Sequence, residues 1–548
     1  MTTESLPSSF KSLGQRWPSL LLGIIVVFVF IYITLTTNYR RRRLPPGPRG
    51  LPFIGNKHQV PSIKPWRKFE EWNKKYGSVI SLHLGKTPVI GMQSVLGTAQ
   101  AAWDILDRRS DIYSSRPRFV VAGEILSDNK RGLMLPYGEE WRKWRKVLHS
   151  GLHARKAEMY TPMQSLESKV TLRDILRHPE DWDENLQRYA ASVATLVAYG
   201  RRVNSVKEWI VKENMDAMDL KSEVCRSIPG KYLVESWPWL LKLPRALQWF
   251  RSEPEEHKQR DIKLYTVLLN EVKKRMAEGT QLDCMATQAL IDEGLAPGFE
   301  KRVKKDKVPF DELDVAYAVS SPFGAGIETT AGSLATFMLA MVHNPQVMRK
   351  AQAELDNVIG QDRLPEFSDK PNLPYIRAVV DETLRWRPVA VLGGTPHSVI
   401  ADDEYNGMFI PKGSTVFANM AGIMNDPELF PSPDSFIPER FLPDSPLFNP
   451  KLHPFDLPFG FGRRSCPGLH LARNSIFINI ARILWAFDIS PAVDDNGNKV
   501  LPDTRNYTNG FNSRPVKFDC NLTPRNEQIA ELVMKEGEIA MEELSRYK

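Results

Sequence analysis

Residues 459–468 read FGFGRRSCPG and set one cysteine, Cys466, among glycines at 460, 462 and 468. Glycine reaches backbone conformations closed to other residues, so such a loop can aim several N–H groups at one sulfur. Amides placed in this way stabilise a thiolate and tune a metal bound to it. The metal in turn keeps the thiol deprotonated. Pro467 suits the first turn of a helix, which the pattern over residues 467–487 predicts. The competing reading makes Cys466 a small buried residue in a glycine-rich turn. Cys225, Cys284 and Cys520 are widely separated, with no CxxC or Cys/His cluster, so neither a zinc site nor a disulfide scaffold is indicated.

Other groupings carry chemistry of their own. Glu382 and Arg385 stand at i and i+3, on one helix face, where carboxylate and guanidinium pair. Trp141 and Arg145 lie one helical turn apart in WRKWR. Gly324-Ala325-Gly326-Ile327-Glu328-Thr329-Thr330 joins small residues, which let a helix approach a flat cofactor, to an acid and an alcohol able to relay protons. A solvated helical ion pair and weakly packed glycines are the bland alternatives.

Taken in their order along the chain, from Trp141 through Gly324, Glu382 and Pro438 to the cysteine loop, the segments resemble the cytochrome P450 family. The loop matches the family pattern of aromatic, glycine, any, glycine, any, arginine, any, cysteine, any, glycine; Glu382 to Arg385 matches ExxR, and Pro438 to Phe441 matches PERF. The resemblance implies that Cys466 is the axial thiolate of haem iron, which favours O–O cleavage. It also makes Phe459 a haem-binding residue and Arg464 a propionate partner. By the same resemblance Trp141 and Arg145 reach one propionate and His397 the other, while Arg440 completes a structural network with Glu382 and Arg385. Thr329 is then the proton-relay alcohol and Glu328 its acidic partner. Substrate-pocket candidates by position in the family pattern are Val121, Ala325, Val391, Leu392 and Phe511.

The elements that must hold these residues are mostly helices. Helical patterns cover residues 65–76, 95–108, 139–148, 310–343, 345–359, 373–386 and 467–487, with strand-like stretches at 79–84, 87–91, 404–409 and 415–418. The expected fold class is mainly α with small β-sheets, the cytochrome P450 fold, as a single catalytic domain with an N-terminal membrane anchor. Pro322, inside the 310–343 pattern, predicts a kink just before the relay motif. Residues 1–19 read as a lumenal segment, 20–37 as the anchor, 38–56 as a basic, proline-rich hinge, 57–525 as the monooxygenase domain and 526–548 as a charged, mobile helical tail. The uncharged run 20–35 is slightly short for a span of about 20 residues, but Arg40 to Arg43 follow it and place the catalytic body in the cytosol. A signal peptide is the alternative, without a clear cleavage site. Residues 229–250, with Trp237, Trp239 and Trp249 among leucines, fit either core packing or a shallow membrane contact.

Apolar residues make up 42% and charged residues 25%, as in a globular protein, and 73 basic against 65 acidic residues is no nucleic-acid footprint. The expected function is an endoplasmic-reticulum haem b (iron protoporphyrin IX) monooxygenase acting on a lipophilic small molecule in specialised metabolism, terpenoids first. No GxGxxG opens a βα unit and no flavin motif is evident, so NADPH serves only indirectly, through NADPH-cytochrome P450 reductase, with cytochrome b5 as a further donor. Lys143, Lys146 and Arg463 are candidates to attract that acidic flavoprotein. The alternatives are a membrane-anchored haem sensor or carrier, and an isomerase or dehydratase of the same fold that does not use O₂.

Overall fold

The apolar run that predicts one long helix forms two consecutive pieces in a computed structural model of the chain, Glu312–Val319 and Ser321–His343. The model describes residues 21, 23–31, 44–51, 55–84, 92–225, 232–296 and 310–547, with the side chains of 219–225 excepted. Asp311 caps the first piece, accepting from Asp314 N–H at 2.7 Å while its own N–H donates to Asp314 Oδ2 at 3.1 Å. The second piece restarts at Ser321 with Pro322 in its first turn, while Ser320 between them keeps helical angles, its N–H donating to Ala316 O at 3.1 Å and its carbonyl accepting from Gly324 N–H at 2.9 Å. Among the described residues this is the one helix long and apolar enough to cross a membrane, but it is mostly buried and forms the core.

Helices Trp182–Tyr199, Pro374–Trp386 and Leu469–Ala486 pack against it, with Thr161–Arg177 behind the first and last of these, and their apolar faces form the interior. Residues 21 and 23–31 are helical and exposed; the rest of the expected anchor lies outside the described residues.

The main sheet has four strands in the order Val79–His83, Met92–Leu96, Thr415–Ala418, His397–Ser398, with only the middle pair parallel. Residues 95–108 depart from the expected single helix. Met92–Leu96 is a strand, and the helix starts after Thr98, whose hydroxyl accepts from Ala101 N–H at 3.3 Å. The expected strand 87–91 lies outside the described residues. Residues 404–409 form a hairpin of Asp403–Tyr405 and Met408–Ile410, because Asn406 and Gly407 both take positive φ, 51° and 72°.

Both flanks of the domain are tied to it more closely than the sequence suggested. The proline segment lies along the sheet edge: Ser81 N–H donates to Pro46 O at 2.9 Å and Ser81 Oγ to Pro45 O at 2.6 Å. The expected mobile tail is a docked helix, Glu527–Leu544, which buries Ile529, Val533, Ala540 and Leu544. Glu536 pairs with Lys169 at 2.8 Å and Glu538 with Arg177 at 2.5 Å on helix Thr161–Arg177. Arg202 N–H donates to Tyr547 O at 3.0 Å. Beneath this helix Glu167, fully buried, accepts from Arg188 Nη1 and Arg202 Nε, both at 2.7 Å. Against burial, which raises it, these arginines hold the Glu167 carboxyl below its usual range.

Candidate active site

The cysteine loop folds by closing on itself. Cys466 N–H donates to Phe459 O at 2.7 Å, and Gly460 and Gly462 take φ of 82° and 52°. At Gly462 a Cβ would lie 2.6 Å from Leu106 O, so only glycine lets the loop press against that turn. Gly462 N–H donates to Asp107 Oδ1 at 2.9 Å, which fastens the contact. The Cys466 thiol is open to solvent on one side yet deep within the protein. Burial pushes it up; N–H groups of Gly468 and Leu469 and the charge of Arg145 oppose that rise. The sulfur is thus cradled for an anion but needs a cation to become one.

Beside the loop lies a group of cations, Arg116 buried and Arg145 and Arg464 half-buried. Arg464 donates from Nε to Ser114 O at 2.7 Å and from Nη2 to Leu135 O at 2.8 Å, and its guanidinium covers the Trp141 ring at 4.3 Å. Arg145, one turn from Trp141 on helix Glu139–Leu152, donates to Ser465 O at 2.8 Å. Burial, then the like charges of Arg116 and Arg145, pulls the Arg464 pKa down to about 8. Burial alone lowers Arg116 to about 9. His397, in its short strand, donates Nδ1–H to Tyr113 O at 2.8 Å; burial and then Arg116 depress it well below the usual range, leaving a neutral ring.

Among the described residues, none of Arg116, Arg145 and Arg464 makes an ion pair with a carboxylate. Trp141 Nε1 and Arg116 Nε are buried without hydrogen-bond partners. Such orphans and like charges are costly unless an anion joins them. A flat dianionic group with a metal for Cys466 fits this donor set, and haem is such a group. Arg116 escaped the sequence analysis. Its Nη1 donates to Thr395 O at 2.5 Å and Pro396 O at 3.0 Å, contacts that no local spacing announces.

Below the site, Glu382 and Arg385 form a fully buried bidentate pair at 2.7 and 2.8 Å, with Arg440 Nε 3.5 Å from Glu382 Oε1. Arg385 also donates to the carbonyls of Met424, Pro433 and Ser435, so the network pins the loop leading to Arg440.

On the long helix, Ala325 is open while Ile327 and Thr330 are buried, and Thr329 Oγ1 donates to Ala325 O at 2.7 Å. Glu328 Oε2 accepts from Asn512 Nδ2 at 2.9 Å. Val121 is buried in the turn Val120–Ile125, against which Phe511 also packs. Val391 and Leu392 instead pack with Trp66 and Ala421. From the same segment, Val389 meets the long helix at Gly332, and Gly394 meets Phe511; a Cβ at either glycine would lie 3.4 or 3.8 Å from those side chains. Lys143 is paired with Glu140 at 3.1 Å, whereas Lys146 and Arg463 are exposed.

The cysteine loop, the buried Glu-Arg network and the long helix define a haem-thiolate oxidoreductase. The family model for cytochrome P450 matches residues 45–518. Cytochrome P450 monooxygenase 58 of Postia placenta is 37% identical over 541 residues, covering 96% of this chain and 99% of the relative. Cytochrome P450 monooxygenase claR of Ampulloclitocybe clavipes is 35% identical over 521 residues, 94% of this chain and 92% of the relative. A zebra fish cytochrome P450 solved with abiraterone superposes with a TM-score of 0.65 at 25% identity, over 84% of this chain and 100% of that one. The chain belongs to the cytochrome P450 family and is a monooxygenase, inserting one oxygen atom from O₂.

Proposed function

We propose that the chain is a membrane-bound enzyme that holds haem b on Cys466 and oxidises a lipophilic small molecule of specialised metabolism, with terpenoids foremost. The observation that carries this reading is the acid-free cluster of Arg116, Arg145, Arg464 and His397 beside a sulfur cradled by two N–H groups. Haem, when bound, supplies dioxygen activation. Arg116, Arg145 and Arg464 offer N–H groups to two propionates, with Trp141 Nε1 as a further donor. Thr329 donates its hydroxyl proton to Ala325 O and keeps lone pairs as acceptors; to relay, it would take a proton from Glu328 at a lone pair and give up its own. Val121, Val389, Ala325 and Phe511 wall the substrate side with apolar groups, which favours a greasy guest over a charged one.

Electrons come from NADPH through NADPH-cytochrome P450 reductase, which docks near the exposed cations Lys146 and Arg463, with cytochrome b5 as a further donor. Localisation at the endoplasmic reticulum, single-pass with the catalytic body in the cytosol, rests on the run 20–35 and the arginines after it. Exposed Trp237, Trp239 and Trp249, set on a base of Tyr232, Val234, Leu240 and Phe250 that packs against residues 119–126, support a second contact with the bilayer. The test is the carbon monoxide difference spectrum of reduced protein in membranes. A red-shifted Soret band typical of thiolate ligation is expected in wild type and not in Cys466→Ala; its absence from folded, haem-loaded wild type overturns the reading.

A further inference from the structure

Asn512 follows Phe511 in a loop tied to the molecule at several points that do not involve its own side chain. Thr508 N–H donates to Arg514 O at 2.8 Å, Arg514 N–H to Thr508 Oγ1 at 3.1 Å and Ser513 Oγ to Thr508 O at 2.9 Å, which closes the turn. Ser513 N–H donates to Val389 O at 2.9 Å, and Arg514 pairs with Asp183 on helix Trp182–Tyr199. From this braced frame the Asn512 amide reaches the long helix and donates to Glu328 Oε2 at 2.9 Å. The loop is thus held at several points besides that bond.

We propose that Asn512 is a positioning residue of proton delivery: it is one of the groups that hold the Glu328 carboxylate and it ties that carboxylate to the loop carrying Phe511 on the substrate side. The inference rests on the relay of Glu328 and Thr329 proposed above. An amide donor suits the role. It favours the ionised carboxylate, which can receive a proton, and it has no acidic proton with which to compete. Thr329 already donates to Ala325 O, so any proton it passes on must be replaced by one from a neighbour. Glu328 is the preceding residue, and the direction of its carboxylate decides whether it can serve.

The test uses haem-loaded protein with reductase and NADPH and no added substrate. Each NADPH delivers two electrons, so O₂ leaves either as peroxide (O₂ + 2e⁻ + 2H⁺ → H₂O₂) or as water (O₂ + 4e⁻ + 4H⁺ → 2H₂O). Impaired delivery of the later protons favours peroxide. Asn512→Ala is expected to raise the peroxide share of consumed O₂ severalfold, Glu328→Ala to do the same, and the double variant to go no further. Independently of turnover, Asn512→Ala should lower Tm in the wild-type background and not in Glu328→Ala. Retention of the reduced carbon monoxide band certifies each variant as folded. A wild-type peroxide share in Asn512→Ala beside a raised one in Glu328→Ala, multiplying effects, or equal Tm losses in both backgrounds overturns the proposal. If Glu328→Ala itself leaves the peroxide share unchanged, the relay falls and the proposal with it, an outcome distinct from failure of Asn512 alone.

Discussion

Buried and half-buried arginines occur in two kinds of surroundings in this molecule. Arg188 and Arg202 share the carboxylate of Glu167, and Arg385 and Arg440 that of Glu382. Arg116, Arg145 and Arg464 have backbone carbonyls as partners and, among the described residues, no carboxylate. The first kind is neutralised within the chain and serves the fold, although Arg440 Nε and Nη1 and Arg188 Nε have no hydrogen-bond partner among the described residues. The second is complete only with an anion from outside, because carbonyl dipoles orient a guanidinium without neutralising it. Lack of an acid, rather than presence of a base, marks the functional cluster.

The comparison breaks most readily at Glu382. Glu382→Leu leaves Arg385 buried and uncompensated, a loss of about 3–5 kcal/mol, and should abolish recoverable haem protein, read as the carbon monoxide band per amount of polypeptide. Glu167→Leu should cost about 3 kcal/mol equally in haem-free and haem-loaded protein, read as matching Tm losses; a loss confined to one form would mean that the two kinds are not separate. Arg464→Met should act differently, weakening haem retention roughly tenfold, about 1.4 kcal/mol, with a smaller loss in haem-free protein. Transfer of haem to apomyoglobin measures it.

Acidification gives the smallest effect. His397 is depressed, so its contribution to stability is whole above its usual pKa of 6.5 and is lost as pH falls below, when the unfolded imidazole takes a proton that the folded one refuses. Haem-free protein should therefore lose up to about 1.4 kcal/mol per pH unit from this group below that point. Haem-loaded protein should lose less, since a propionate would let His397 accept the proton in place. Parallel Tm titrations decide between equal and unequal slopes.

Much of this was legible in the sequence, where the relevant contacts are local. Cys466 and its glycines, Glu382 with Arg385, and Trp141 with Arg145 each sit within one loop or one helical turn, so spacing alone aligns them. Arg116 and Asn512 depend on partners at Thr395, Pro396 and Glu328, far away in the chain, and nothing in their own surroundings predicts those meetings. The candidates at 389–394 illustrate a finer limit. Gly393 and Gly394 take φ of 72° and 76°, and through this turn Val389 and Gly394, not Val391 and Leu392, meet the long helix and Phe511. The hairpin at Asn406-Gly407 carried a readable signal, since that dipeptide favours a tight turn. For the C-terminal helix, the apolar spacing of Ile529, Val533, Ala540 and Leu544 announces a helix but not the surface that receives it.

Mechanically, the junction at Ser320 makes the long helix a jointed lever. Pro322 supplies no N–H to the turn before it, so resistance to bending is lowest there. Above the joint, Val315 to Val319 pack with Leu264, Tyr265 and Met285 of the outer helices; below it, Leu334 to Val342 sit in the central core. A bulky guest that lifts the upper arm would spend its leverage at that joint, and Thr329, about two turns further on, would keep its register.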